Sequence, residues 1–174
     1  MRTLIAYYSL SGYTEKLALA TQARLGGDAA VLRIVPAKEY SYFSAGIRGV
    51  REAMAGTVVA LETAAPADGS FDALAVFSPT WGWMSSPPAR SFVAALPDGR
   101  GRPAVAGVTH AGGPIGSFDR LAELVRARGY DVVDTLSVFC YAAAAVQEAA
   151  ARAAAALTAA AVRPTGAADD PRTT

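Results

Sequence analysis

The sequence is poor in the residues on which several chemistries depend. A single cysteine, Cys140, stands among 174 residues, which excludes an internal disulfide and a cysteine metal cluster and leaves a buried, inert thiol as the expectation. A single histidine, His110, argues against zinc or iron, whose sites gather several imidazoles or thiolates. No stretch resembles the apolar helix of about 20 residues that spans a bilayer. The most apolar stretch, Tyr141 to Val162, is mostly alanine and carries Gln147, Glu148 and Arg152. It reads as a helix covering a sheet, with Glu148 and Arg152 spaced for an exposed ion pair. Net charge is nearly absent, since 16 Lys and Arg against 15 Asp and Glu leave +1. Neither a nucleic-acid surface nor a strongly acidic docking face is expected. The chain opens on a strand pattern, Thr3 to Tyr7, without the basic region and cleavage site of a signal peptide. A cytoplasmic protein without membrane insertion is therefore expected.

What is present is a regular alternation. Short apolar runs at Leu4–Tyr8, Ala30–Val35, Leu74–Phe77, Ala104–Val108 and Val132–Val138 read as strands. Between them, Tyr13–Arg24, Phe43–Met54, Pro88–Ala95, Phe118–Arg128 and Ala142–Ala161 place apolar residues at helical spacing. Parallel strands need crossovers, and helical crossovers pack back onto the sheet, so this alternation gives a doubly wound α/β domain. One domain, residues 1–163, is expected, followed by a disordered tail, 164–174, which has no apolar period.

Ligands of such sheets bind beyond the carboxyl ends of the strands, so the loops there carry the function. The first runs Ser9, Leu10, Ser11, Gly12, Tyr13, Thr14 and passes straight into a helix. Unpaired N–H groups at a helix start, joined by hydroxyls, can surround a phosphate. The loop lacks the Lys of a nucleoside-triphosphate loop and the glycines of a dinucleotide fingerprint, so a terminal monophosphate fits best. A plain helix cap would need only one of the hydroxyls. The second loop, Pro79, Thr80, Trp81, Gly82, Trp83, offers two indole planes on which an aromatic ligand can stack. Core packing of one Trp and a partner contact by the other is the plainer reading. The third loop, Thr109, His110, Ala111, Gly112, Gly113, lets backbone approach a heterocycle closely.

The run Ala6 to Glu15, followed by Ser78–Gly82 and the glycine-rich third loop, resembles the flavodoxin family and its short bacterial FMN-binding relatives. The likeness covers nearly the whole chain. It implies a flavodoxin-like doubly wound sandwich, a five-stranded parallel sheet of order 2-1-3-4-5 with helices on both faces. It also implies FMN as cofactor, with its phosphate at Ser9, Leu10, Ser11, Gly12, Tyr13 and Thr14. The flavin ring then lies between Pro79–Trp83 and Thr109–Gly113. A further implication is that the Trp81–Gly82 peptide turns over when the cofactor is reduced.

Familiar flavodoxin carriers ring the flavin with carboxylates, whereas these three loops hold no Asp or Glu. The expectation therefore leans to an FMN-dependent oxidoreductase that passes electrons from NAD(P)H to a small acceptor such as a quinone or flavin. A single-electron carrier between redox proteins is the alternative. His110 is the candidate catalytic residue, because imidazole titrates near neutrality and lies in a ring loop; a polar loop residue without a chemical role has the same signature. The Tyr40, Tyr42, Phe43 cluster can border the acceptor, or pack the second helix. Arg48 and Glu52 are spaced for an ion pair. A response-regulator receiver is excluded by Ser9 and Ser78 where it needs acids, and a small tyrosine phosphatase by the absence of Cys from the first loop. No glycine-flanked nucleophile turn of a serine hydrolase is present.

Overall fold

A computed structural model describes residues 1–113 and 116–162. Five parallel strands form the sheet: β1 (Thr3–Tyr7), β2 (Ala29–Arg33), β3 (Ala73–Trp81), β5 (Pro103–His110) and β6 (Asp131–Phe139), ordered β2-β1-β3-β5-β6. Counting only these five, the order is the expected 2-1-3-4-5. The sixth strand, β4 (Met84–Ser85), pairs antiparallel with the end of β3. Successive side chains of a strand point to opposite faces, and here both faces are covered. Leu4, Ala6 and Tyr8 enter one core with α4 (Pro87–Ala95) and α5 (Ser117–Ala127). Ile5 and Tyr7 enter the other with α1 (Tyr13–Leu25) and α6 (Ala143–Val162). Burial on both sides is why the central strands β1, β3 and β5 read as apolar runs rather than alternating ones.

The alanines of α6 have a positional logic. Val146, Ala149, Ala150, Ala153, Ala154 and Leu157 are its buried residues, at helical spacing, and they face the sheet and α1. No helix among the described residues is long and apolar enough to cross a membrane. Arg152 meets Asp134 of β6 at 2.8 Å, not Glu148, because the strand beneath the helix offers a carboxylate at bidentate range, 2.8 and 3.1 Å. The Arg48–Glu52 pair does form, at 3.9 Å.

Three expectations change in detail. The third strand continues four residues past Phe77, to Trp81, and turns back through a two-residue hairpin. Gly82 and Trp83 both have positive φ, 56° and 63°, as the type I′ hairpin turn requires. The second helix is not continuous: α2 (Tyr42–Ser44) leads through a π-helical turn (Ala45–Gly49) into α3 (Val50–Ala55). Cys140, expected to be buried, lies in the turn after β6 and is only half-buried. The expected tail, 164–174, lies outside the described residues.

Candidate functional site

A cleft of 530 Å³ opens beyond the carboxyl ends of β1, β3 and β5, within the range of small-molecule sites, about 300–1,000 Å³. At one end stands the start of α1. Gly12 is its N-cap, in the left-handed region, and no side chain caps the first turn. The first helical N–H groups are therefore without a side-chain acceptor, and the helix dipole adds partial positive charge there. The hydroxyls of the loop have separate tasks. Ser9 is buried and its Oγ accepts a hydrogen bond from the Gly12 N–H at 3.0 Å, which shapes the loop from behind. Thr14 is also buried, its Oγ1 2.7 Å from Thr109 Oγ1, tying the first loop to the end of β5. Ser11 is exposed on the cleft wall with Leu10, Tyr13 and Thr14.

The Thr14–Thr109 tie carries a prediction. Thr14→Val removes one hydroxyl of a buried pair and strands the other, so it is expected to cost about 1–3 kcal/mol in urea unfolding. Adding Thr109→Val should recover most of that loss, because the pair is then replaced by apolar groups of similar shape. Simple addition of two losses counts against the tie.

A second wall is built on Trp81. Trp81 is not an exposed stacking plane: it stands edge-on to Tyr8 at 5.6 Å and to Tyr40 at 4.9 Å between ring centroids. A Cβ on Gly49 would stand 2.7 Å from Trp81 Cε3, so only glycine lets the π-helical turn approach this ring. The indole still lines the cleft, beside Pro79, Thr80 and Gly82. Trp83 does not: the hairpin turn carries it outward, more than half exposed and away from the lining. Of the third loop, Thr109, His110 and Ala111 line the cleft, while Gly112 and Gly113 are exposed outside it.

Two walls were not anticipated as binding segments. Tyr42, Ala45, Gly46 and Val50 come from α2, the π-helical turn and α3, and Cys140 and Tyr141 from the turn after β6. The Tyr40–Phe43 cluster was a partial signal for the first wall. No local pattern marks the second, because Tyr141 reaches the cleft by packing edge-on to Tyr13 at 5.2 Å, a residue 128 positions earlier in the chain.

No Asp, Glu, Lys or Arg lines the cleft among the described residues. The helix start is thus its strongest built-in field. His110 has a buried Nδ1 without a hydrogen-bond partner among the described residues, and burial lowers its pKa; burial likewise raises the Cys140 thiol and pushes the Tyr8 phenol up to about 12. Imidazole and thiol both stay neutral at neutral pH. Among the described residues no group of three or more His, Cys, Asp or Glu side chains is placed to hold a metal.

The depressed His110 value makes stability depend on pH. The unfolded imidazole takes up a proton near pH 6.5 and the folded one only below that. Its contribution is complete above the unfolded value and is lost as pH falls toward the folded one. Urea midpoints measured from about pH 7.5 down to pH 5 should therefore fall more steeply for the wild type than for His110→Gln. Parallel slopes would remove His110 as the cause.

No protein-family model matches the chain, and no curated protein matches it. Solved structures do. A flavoprotein from Lactobacillus acidophilus NCFM, in complex with FMN, aligns with TM-score 0.63 and 16% identity over 78% of this chain and 92% of that one. Oxidised flavodoxin 2 from Bacillus cereus aligns with TM-score 0.59 and 17% identity over 92% and 99%. The apo form of an NADH:FMN oxidoreductase aligns with TM-score 0.56 and 16% identity over 94% and 92%. The chain has the flavodoxin-like fold.

Proposed function

We propose that this chain binds FMN non-covalently in the cleft and acts as an oxidoreductase that passes electrons from NAD(P)H to a small acceptor such as a quinone or flavin. One observation carries the reading: a cleft without charged lining among the described residues, walled by the uncapped start of α1 and by Trp81 with its two tyrosines behind it. A phosphate fits the first wall and a flat ring the second.

FMN, when bound, supplies the acceptance and delivery of electrons; the residues position it. The α1 amides and Ser11 hold the phosphate, while Ser9 and the Thr14–Thr109 pair keep that loop in shape. Trp81, backed by Tyr8 and Tyr40, forms a rigid wall at the ring end. His110 is neutral and can give or accept one hydrogen bond at the heterocycle. Absence of carboxylates from the lining favours an enzyme over a carrier that docks on a basic partner. The NADH:FMN oxidoreductase among the similar structures supports the same side.

The test is to load purified protein with FMN, remove oxygen and add NADH or NADPH. Rapid bleaching of the flavin absorbance is expected. Bound FMN that stays yellow with both nucleotides but exchanges electrons with a redox protein makes the carrier the better reading, and failure to bind FMN overturns both.

A further inference from the structure

The helical segment beside the cleft is apolar on two sides. Ala45, Gly49 and Ala53 recur every fourth residue and are buried against the body. Phe43, Ile47, Val50 and Met54 follow one another at spacings of four, three and four. Phe43, Ile47 and Met54 are exposed, with Tyr42 at the start of the segment and Trp83 on the adjoining hairpin; the five are between 54% and 79% exposed. Hairpin and helix are one surface: a Cβ on Gly82 would touch Val50 Cγ1 at 2.7 Å and Met54 Cγ at 3.6 Å.

The size and charge of this face indicate what covers it. Large apolar and aromatic side chains bury roughly 150–250 Å² each when covered, so these five present on the order of 700 Å² of apolar area. The largest patch on a typical monomer is about 300–600 Å², and each partner of a stable interface contributes about 800 Å². The charges beside the stripe are largely engaged within the chain. Arg48 pairs with Glu52 and stacks on Tyr40, and Glu52 accepts the Tyr40 hydroxyl at 2.5 Å. Arg51 is the cation on this segment with no ion pair among the described residues. An anionic membrane would call for a Lys- and Arg-rich flank, and a charged redox partner for a field of one sign; neither is present. An apolar stripe along a helix is complementary to its own copy across a twofold axis, the commonest symmetry of soluble oligomers.

We propose that this face is the twofold interface of a homodimer, in which a second copy of the chain packs its Phe43, Ile47, Met54 and Trp83 against the same residues. Tyr42 belongs both to this face and to the cleft wall, so the dimer interface reaches the mouth of the cleft. The proposal does not depend on which cofactor the cleft holds.

Sedimentation equilibrium and light scattering on the full chain test it. At about 50 µM the wild type is expected at twice the 17.9 kDa chain mass. Ile47→Asp and Phe43→Asp each place a charge in the apolar interface and should raise the dissociation constant by at least about 100-fold. Leu19→Asp, an equally simple change on exposed α1, should leave the dimer intact. Far-UV circular dichroism reads folding, and Phe43→Asp, at the more exposed position, carries the test should Ile47→Asp fail to fold. A monomeric wild type overturns the proposal, and sedimentation of that monomer with phosphatidylglycerol-containing vesicles would assign the face to lipid. A dimer untouched by both substitutions overturns it as well.

Discussion

Ser11→Glu is expected to raise the dissociation constant for FMN by about 100-fold while changing that for riboflavin only several-fold. Ser11 is exposed on the cleft wall beside the uncapped start of α1, so the substitution places a carboxylate where the phosphate is proposed to sit. Two unit charges about 4 Å apart repel by about 4 kcal/mol at the effective dielectric near a protein surface, and salt reduces this further. Among the described residues the cleft brings no Lys or Arg to offset the added charge. Riboflavin lacks the phosphate, so its loss should be confined to the new side chain's bulk. Fluorescence titration of both flavins measures the two effects together. Equal loss for both moves the phosphate away from the α1 start, although the ring could still occupy the cleft.

Trp81→Ala should act on the ring and without that selectivity. The substitution removes the ring against which Tyr8 and Tyr40 pack edge-on and on which the Gly49 backbone rests. Large-to-small changes of this kind cost about 3–5 kcal/mol when fully buried, and Trp81 is partly exposed, so about 3 kcal/mol is expected. For a chain of this size that lowers Tm by about 6–12 °C. FMN and riboflavin share the ring, so both should lose affinity by similar factors of about ten or more. Trp81→Phe, which keeps an aromatic wall, should recover most of the stability. Unchanged flavin affinity in a folded Trp81→Ala protein would place the ring elsewhere.

The fold was largely legible along the chain because its determinants are local or periodic. The central strands β1, β3 and β5, covered on both faces, are largely continuous apolar runs, and with the two edge strands they alternate with helical patterns. The first loop was legible for the same reason: strand, hydroxyl-rich turn and helix start are consecutive. The hairpin was not, since β4 is two residues long, too short to show a period, and Pro79 inside β3 reads as a strand end. The break in the second helix was hidden because a π-helical turn keeps apolar residues near helical spacing.

Composition and order carried the chemical expectation: three loops without Asp or Glu, a hydroxyl-rich first loop without Lys or Arg, and one imidazole in the third loop. Which groups meet was decided only by packing between distant segments. Trp81 turns inward because Tyr8, Tyr40 and Gly49 leave a slot for it, and Trp83, two residues later, turns outward through the hairpin. Thr14 is tied to Thr109, leaving Ser11 as the exposed hydroxyl of the first loop. Arg152 chooses Asp134 over Glu148, and Tyr141 enters the cleft against Tyr13. Apart from the outward turn of Trp83, which the hairpin sets locally, these outcomes are contacts between residues far apart in the chain, settled by which surfaces the closed sheet and its helices bring within van der Waals reach, and a linear pattern of residue types carries no distance between such segments.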